Sequence, residues 1–148
     1  FEDTDPKVKK PIEDAEKVFR EDLEWLGIKV GKVFYASDRM ETYYKYMREL
    51  LKKGIAYICK CEIEKWRELT KRGEPCPCRE NDSAVQLHEF EKMVSNEIKE
   101  GEAVMRLKTA LDHPDPSVRD WWIARVVDNP NHPRAGEKYH VSRRVYAD

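Results

Sequence analysis

The chain alternates between two hydrophobic rhythms. After Pro11, placed where a first helical residue is favoured, Ile12, Ala15, Phe19, Leu23 and Leu26 recur at three- and four-residue steps until Gly27 stops them. That is one amphipathic helix. Val30 to Ser37 is short and β-prone. Asp38 and Glu41 stand in capping-box relation ahead of Met40, Tyr43, Tyr44, Met47, Leu50 and Leu51, with Gly54 as the stop, which predicts the clearest helix of the chain. Ile55 to Cys61 reads as a strand, Ile63 to Lys71 as a short helix stopped by Gly73, and Pro75 to Glu80 as a tight loop. Asp82 or Ser83 then caps a long polar helix whose stripe is Leu87, Phe90, Val94 and Ile98, ending at Gly101. From there the period drops to two. Ala103, Met105 and Leu107 alternate with Val104, Arg106 and Lys108, and Trp122 to Val127 forms a second β-rich run, with Pro-rich turns at 113–116 and 129–133.

Length narrows this picture: 148 residues hold one domain, or one with a small insert. Charged residues make 39% of the chain against about 25% in an average domain, and Lys and Glu abound beside a single Gln, a balance that matches hot-environment proteins. The 28 basic and 29 acidic residues are spread evenly, so a nucleic-acid partner must be held by a local surface and not by bulk charge. No apolar run approaches the roughly 18 residues of a membrane span, and no charged-then-apolar leader opens the sequence. The expectation is a cytoplasmic protein with no membrane partner. Phe1 lies within a charged run with no initiator Met, as expected of an internal piece of a longer chain.

The sharpest chemical signal is Cys59-Lys60-Cys61 followed by Cys76-Pro77-Cys78, which together hold all four cysteines. Residues i and i+2 of an extended segment share a face, so each pair can present both sulfurs to one tetrahedral Zn²⁺ at about 2.3 Å. A closed four-Cys shell leaves no position for water, so the role would be structural. Two disulfides, or four unlinked thiols, are the other readings.

Glu2, Asp3 and Asp5 place three acids within four residues, able to take a metal or a ligand ammonium group, or else to form a solvated turn that caps the next helix through Thr4 or Asp5. The four histidines share no ligand spacing; only His88, at a helical position, offers a replacement zinc ligand. Arg106 and Lys108 share one strand face, with Arg119 and Arg125 close in sequence and Trp121, Trp122 and Tyr139 interleaved. Such a surface can hold a single-stranded RNA end by phosphate contact and stacking, or be an ordinary solvated strand with its aromatics in the core. No phosphate-cradling Gly-rich loop and no nucleophile elbow is present, so self-sufficient catalysis is not expected.

Ordered blocks add a further signal. Phe1-Glu2-Asp3-Thr4-Asp5-Pro6, Leu23-Glu24-Trp25-Leu26-Gly27, Tyr35-Ala36-Ser37-Asp38-Arg39 leading to Tyr43-Tyr44, Gly54-Ile55-Ala56-Tyr57, Val104-Met105-Arg106-Leu107-Lys108, Pro116-Ser117-Val118-Arg119-Asp120-Trp121 and Asn131-His132-Pro133-Arg134 resemble archaeal-type glutamyl-tRNA synthetases, in order, from residue 1 to about 140. The resemblance implies an α/β class I synthetase: a piece of its Rossmann catalytic domain plus an α+β connective domain with a mixed sheet and flanking helices. Residues 1–37 would end the first Rossmann half, 38–128 would be the insert that handles the tRNA acceptor end, with a zinc lobe at 55–80, and 129–148 would return toward the second half.

The implied function is ATP-dependent ligation of L-glutamate to tRNA through a glutamyl-adenylate, with ATP and Mg²⁺ acting in the full-length enzyme. In the family the residue matching Glu2 helps hold the amino acid's α-ammonium. The family's His-Ile-Gly-His and Lys-Met-Ser-Lys-Ser motifs are absent; Lys92-Met93-Val94-Ser95-Asn96 imitates the second by letters from inside an amphipathic helix. The isolated fragment is therefore expected to be inactive, and residues 142–148 depart from the family's usual continuation. A stand-alone zinc-containing RNA-binding module derived from the insert is the alternative.

Overall fold

A computed structural model describes residues 1–5, 7 and 14–144. Helix α1 (Ala15–Trp25) follows the predicted stripe, though the proposed start at Pro11 and Ile12 lies outside the described residues. The segment Val30 to Ser37 does not form the expected strand. Phe1 lies alongside it: its N–H donates to the Phe34 carbonyl while its own carbonyl accepts from Ala36 N, at 2.6 and 2.9 Å. Bonds from one residue to positions two apart on its neighbour are the slanted pattern of parallel pairing, and a single residue of it makes no ladder.

A 3-10 turn at Ala36–Arg39 leads into α2 (Met40–Lys52), which buries Met40, Tyr44, Met47 and Leu51 along one face. The predicted capping box is absent, because the Asp38 carboxylate takes the Arg134 guanidinium and Glu41 takes Lys138 and the Tyr139 hydroxyl. Strand β1 (Ala56–Cys59) runs into α3 (Ile63–Arg72), which ends at Gly73. That glycine has φ +73° and would press a Cβ to 3.1 Å from the Leu111 carbonyl, so both backbone and space demand it. Asp82 caps α4 (Ser83–Val94) by accepting from Ala84 N and Val85 N. The helix stops before the expected Ile98, with Asn96 at φ +59°, yet Ile98 still reaches the core.

Strands β2 (Val104–Leu107), β3 (Trp122–Val126) and β4 (Val141–Arg143) complete a four-stranded sheet in the order β1-β2-β3-β4. The α/β expectation holds. Every pairing is antiparallel, however, where a mixed sheet was expected. The reason is connectivity: α3 and α4 together carry the chain back to the end of β1 it left, and the later loops do likewise. β4 was not foreseen; Tyr44 holds it by donating to the Val141 carbonyl and accepting from Val141 N.

The sheet separates two packed layers. Ala56, Ile58, Met105, Ala124, Val126 and Val141 meet α2 and α4 in the main core. On the other face Tyr57 and Cys59 join Cys76, with Trp66 and Leu69 of α3 packed beside them. A bulge at Met105/Arg106 leaves Ile123 as an extra residue on β3 and sets Trp122 opposite Arg106.

Candidate metal centre and nucleic-acid face

β1 delivers Cys59 at its end and Cys61 two residues on, while a 3-10 turn at Pro77–Glu80 brings Cys76 and Cys78 back over them. All four cysteines are free, and the four sulfurs lie within 4.8 Å of one another. The Cys59–Cys76 and Cys61–Cys78 separations are 3.8 and 3.7 Å, far beyond a disulfide bond of about 2.05 Å. They match the edge of a tetrahedron, about 3.8 Å, that four sulfurs at about 2.3 Å from one ion would define. The donor set is therefore of the right softness and size for Zn²⁺.

Electrostatics point the same way. Hydrogen bonds from the Cys59 and Cys76 thiols lower the Cys78 pKa, whereas bonding to Cys76 and Cys78 raises that of Cys59. Burial first, then the Cys76 charge, pushes Cys61 up to about 11. Without a cation the cluster resists gathering four thiolates; a dication would remove that resistance. Lys60 N donates to Cys78 Sγ at 3.5 Å, a backbone contact that orients the sulfur. His88 is exposed on α4 and outside the cluster.

The cysteine lobe is wired to the far end of β2 and β3. Cys76 Sγ approaches the Tyr57 hydroxyl at 3.6 Å, and that hydroxyl donates to Asp120 Oδ2 at 2.9 Å. Asp120, almost fully buried with φ +42°, also accepts from Arg79 Nε and Thr109 N, both at 2.8 Å. Burial and the Asp120 charge raise the Tyr57 pKa, so it serves as a donor here. Sequence reasoning missed this hub. An invariant alternation could not reveal it, since its members come from three separate segments.

The opening acids are not a solvated turn. Asp3 and Asp5 are buried: Asp3 accepts from Ser37 N and Oγ at 2.8 and 2.6 Å, and Asp5 accepts from Arg125 at 2.8 and 3.0 Å. Glu2, half-buried, accepts from Thr4 N at 3.0 Å and from the Arg143 guanidinium. His132 Nε2 lies 2.6 Å from the Asp3 carbonyl. Positions 2–5 are thus tied to Ser37, to Arg125 of β3, to His132 and to Arg143 of β4.

The basic strand face needs a larger correction. Arg106 does not face outward: it is 3% exposed, with its guanidinium 3.5 Å from the Trp66 ring centroid. Strand periodicity put it on the polar side, but α3 covers that side. Lys108 is half-buried beyond the strand's end. Arg119 is spent on the carbonyls of His113, Thr70 and Lys71, Arg125 on Asp5, and Tyr139 packs edge-on against Tyr44. What the face does hold is a pocket of about 310 Å³ formed by Trp66, Arg67 and Lys71 of α3 with Arg106, Trp121 and Trp122. The α3 residues escaped the sequence reading because a pocket drawn from several elements has no spacing of its own. The Lys92-Met93-Val94 imitation lies on α4 with Met93 fully buried, as expected of a core residue.

The sequence that builds this tied N-terminal segment and cysteine-bearing sheet has known relatives. The model of class I tRNA synthetases for Glu and Gln, catalytic domain, matches residues 1–143, and the chain belongs to that family. Among its relatives, the glutamate–tRNA ligase of Pyrococcus abyssi is 59% identical over 141 residues, 95% of this chain and 25% of that protein. Those of Sulfurisphaera tokodaii and Ignicoccus hospitalis are 49% and 47% identical, again over about a quarter of their length. The chain thus spans about a quarter of the relatives it matches.

Proposed function

We propose that this chain is the substrate-edge and acceptor-end part of a cytoplasmic glutamate–tRNA ligase. The carrying observation is the family match over residues 1–143 together with identity of 59% across 95% of the chain. On this reading residues 1–37 close the first half of the Rossmann domain, 38–128 are the connective insert, and 129–148 lead back to the second half. The whole enzyme activates glutamate with ATP and Mg²⁺ as an adenylate and passes it to a ribose hydroxyl of tRNA, work done by positioning and charge stabilisation.

This chain's residues then have separable roles. The Glu2 carboxylate, already an acceptor for Thr4 and Arg143, accepts the ammonium of the amino acid. Cys59, Cys61, Cys76 and Cys78 hold one Zn²⁺, which supplies a cross-link and no reactive position. Lys108 meets phosphate, and Arg106 backs the aromatic pocket instead of reaching solvent.

An acceptor-stem minihelix and an anticodon-arm hairpin of the same tRNA separate this reading from general RNA affinity. The chain should bind the first and not the second, and should show no glutamate-dependent pyrophosphate exchange by itself. Equal binding of the two hairpins would overturn acceptor-end recognition.

A further inference from the structure

Four thiolates around one dication carry excess negative charge, so the hydrogen-bond donors that face each sulfur decide how well a buried centre holds it. Two of the sulfurs draw a donor from the backbone: the Cys61 main chain serves Cys59, and Lys60 N donates to Cys78 Sγ at 3.5 Å. Cys76 is served differently. It is 3% exposed, and its sulfur's partners among the described residues are Cys59 Sγ at 3.8 Å and the Tyr57 hydroxyl at 3.6 Å.

That hydroxyl has one proton and two acceptors that can claim it. While Cys76 is a thiol the two demands do not conflict: its S–H donates to Tyr57 Oη, and the Tyr57 O–H donates to Asp120 Oδ2 at 2.9 Å. A cysteine that ligates a metal has no S–H, so its sulfur can only accept, and the Tyr57 oxygen would then face it with lone pairs alone. Asp120 can release the hydroxyl, because its Oδ2 also accepts from Arg79 Nε and its Oδ1 from Thr109 N, both at 2.8 Å. Cys76 Sγ has no such replacement among the described residues. Tyr57 itself keeps its proton, since burial and the Asp120 charge both raise its pKa.

We infer that Tyr57 is a positioning residue for the metal centre: its O–H turns from Asp120 to Cys76 Sγ when that sulfur binds a metal ion. The inference rests on the four-cysteine zinc reading above and adds to it a group outside the ligand set. β1 places Tyr57 two residues ahead of Cys59 on the same strand face, with its ring fully buried beside Cys59 and Cys76. The change therefore asks only for rotation about the phenolic C–O bond and a small closing of the gap to sulfur. Asp120 keeps its charge pair with Arg79 throughout.

The chain is loaded with Zn²⁺ and with Co²⁺, in parallel with Tyr57→Phe, which keeps the ring and removes the hydroxyl. Zn²⁺ affinity, measured by competition with a chelator, should fall roughly ten-fold or more in the variant. Its sulfur-to-cobalt charge-transfer band should move to longer wavelength, because a thiolate without a donor gives up an electron more easily; a loss of packing alone would lower affinity and leave the band in place. A crystal structure of the zinc-loaded wild type needs no variant: Tyr57 Oη should lie nearer to Cys76 Sγ than 3.6 Å and farther from Asp120 Oδ2 than 2.9 Å. An unmoved band in Tyr57→Phe, whatever its affinity, or a hydroxyl still 2.9 Å from Asp120 in the loaded chain, would overturn the positioning role while leaving the zinc site standing. Failure of the wild type to take up either ion would remove the zinc reading, and this role with it.

Discussion

Two regions of this molecule carry equally good amphipathic helices, and only one of them is packed. α2 buries four residues against the sheet, whereas α1, with its own stripe of Phe19, Leu23 and Leu26, buries none. Trp25 is 85% exposed and Phe19 55%; among the described residues, Phe19 meets Phe1 edge-on and Glu16 accepts from the Tyr35 hydroxyl at 2.6 Å. Periodicity reports that a face is meant to be covered, not what covers it. In the relatives, three quarters of the length lies beyond the part matched here. α2 and α4, by contrast, close a core against the four-stranded sheet, Val141 of β4 included.

Stripping the proposed zinc should widen the contrast most. A chelator is expected to cost the cysteine lobe several kcal/mol and to raise hydrogen exchange in β1 and α3 while α2 keeps its protection. Native mass spectrometry should count one zinc per chain with four unoxidised cysteines; a metal-free mass lighter by four hydrogens would show two disulfides instead. Next in size, Phe90→Ala, at a fully buried site of the main core, should cost about 3–5 kcal/mol in urea unfolding. Phe19→Ala on α1 should stay within about 0.5 kcal/mol. Similar losses for the two would erase the distinction between the regions.

Asp120→Asn sharpens the comparison within the packed region. It keeps the shape but removes the charge facing Arg79, and should cost about 2 kcal/mol, read as a lower urea midpoint. The smallest effect concerns pH. Glu91 holds Arg48 through two bonds of 2.7 and 2.8 Å, and the hydrogen bond with Arg48 lowers its pKa below the ordinary 4.5. A lowered folded value means the contribution is complete above about pH 4.5 and is lost as pH falls through the folded pKa. Half of the Glu91 side chain is in water, so Glu91→Gln should remove only about 0.5 kcal/mol or less of acid-sensitive stability, seen as a shallower fall of the melting midpoint between pH 5 and 3 (about).

Where one element carries the signal, the sequence was legible. α2 and α4 follow from three- and four-residue steps, β2 from strict alternation, and the cysteine quartet from paired spacing. β4 was hidden because a three-residue strand with one apolar residue has no period; Tyr44 and β3 define it from outside. Arg106 was misjudged for a related reason. Alternation assigns it a side of the strand, but only the position of α3 decides whether that side meets water. The acids at 2, 3 and 5 likewise looked solvated, since Arg125, His132 and Arg143 lie more than a hundred residues away along the chain.

Asp38 and Arg134, 96 positions apart, meet through both carboxylate oxygens at 2.8 and 2.9 Å, with the same guanidinium over Tyr35. This clasp holds the turn ahead of α2 beside the stretch that leads into β4. A circular permutant with new ends in the exposed 113–118 turn should fold, because Glu2 and Arg143 hold the two ends of the described chain together. Bridging so small a gap asks little of a linker, because closure entropy rises only slowly with loop length. Excision of 39–133 should fail, because it would strip β4 of its partners Tyr44 and β3.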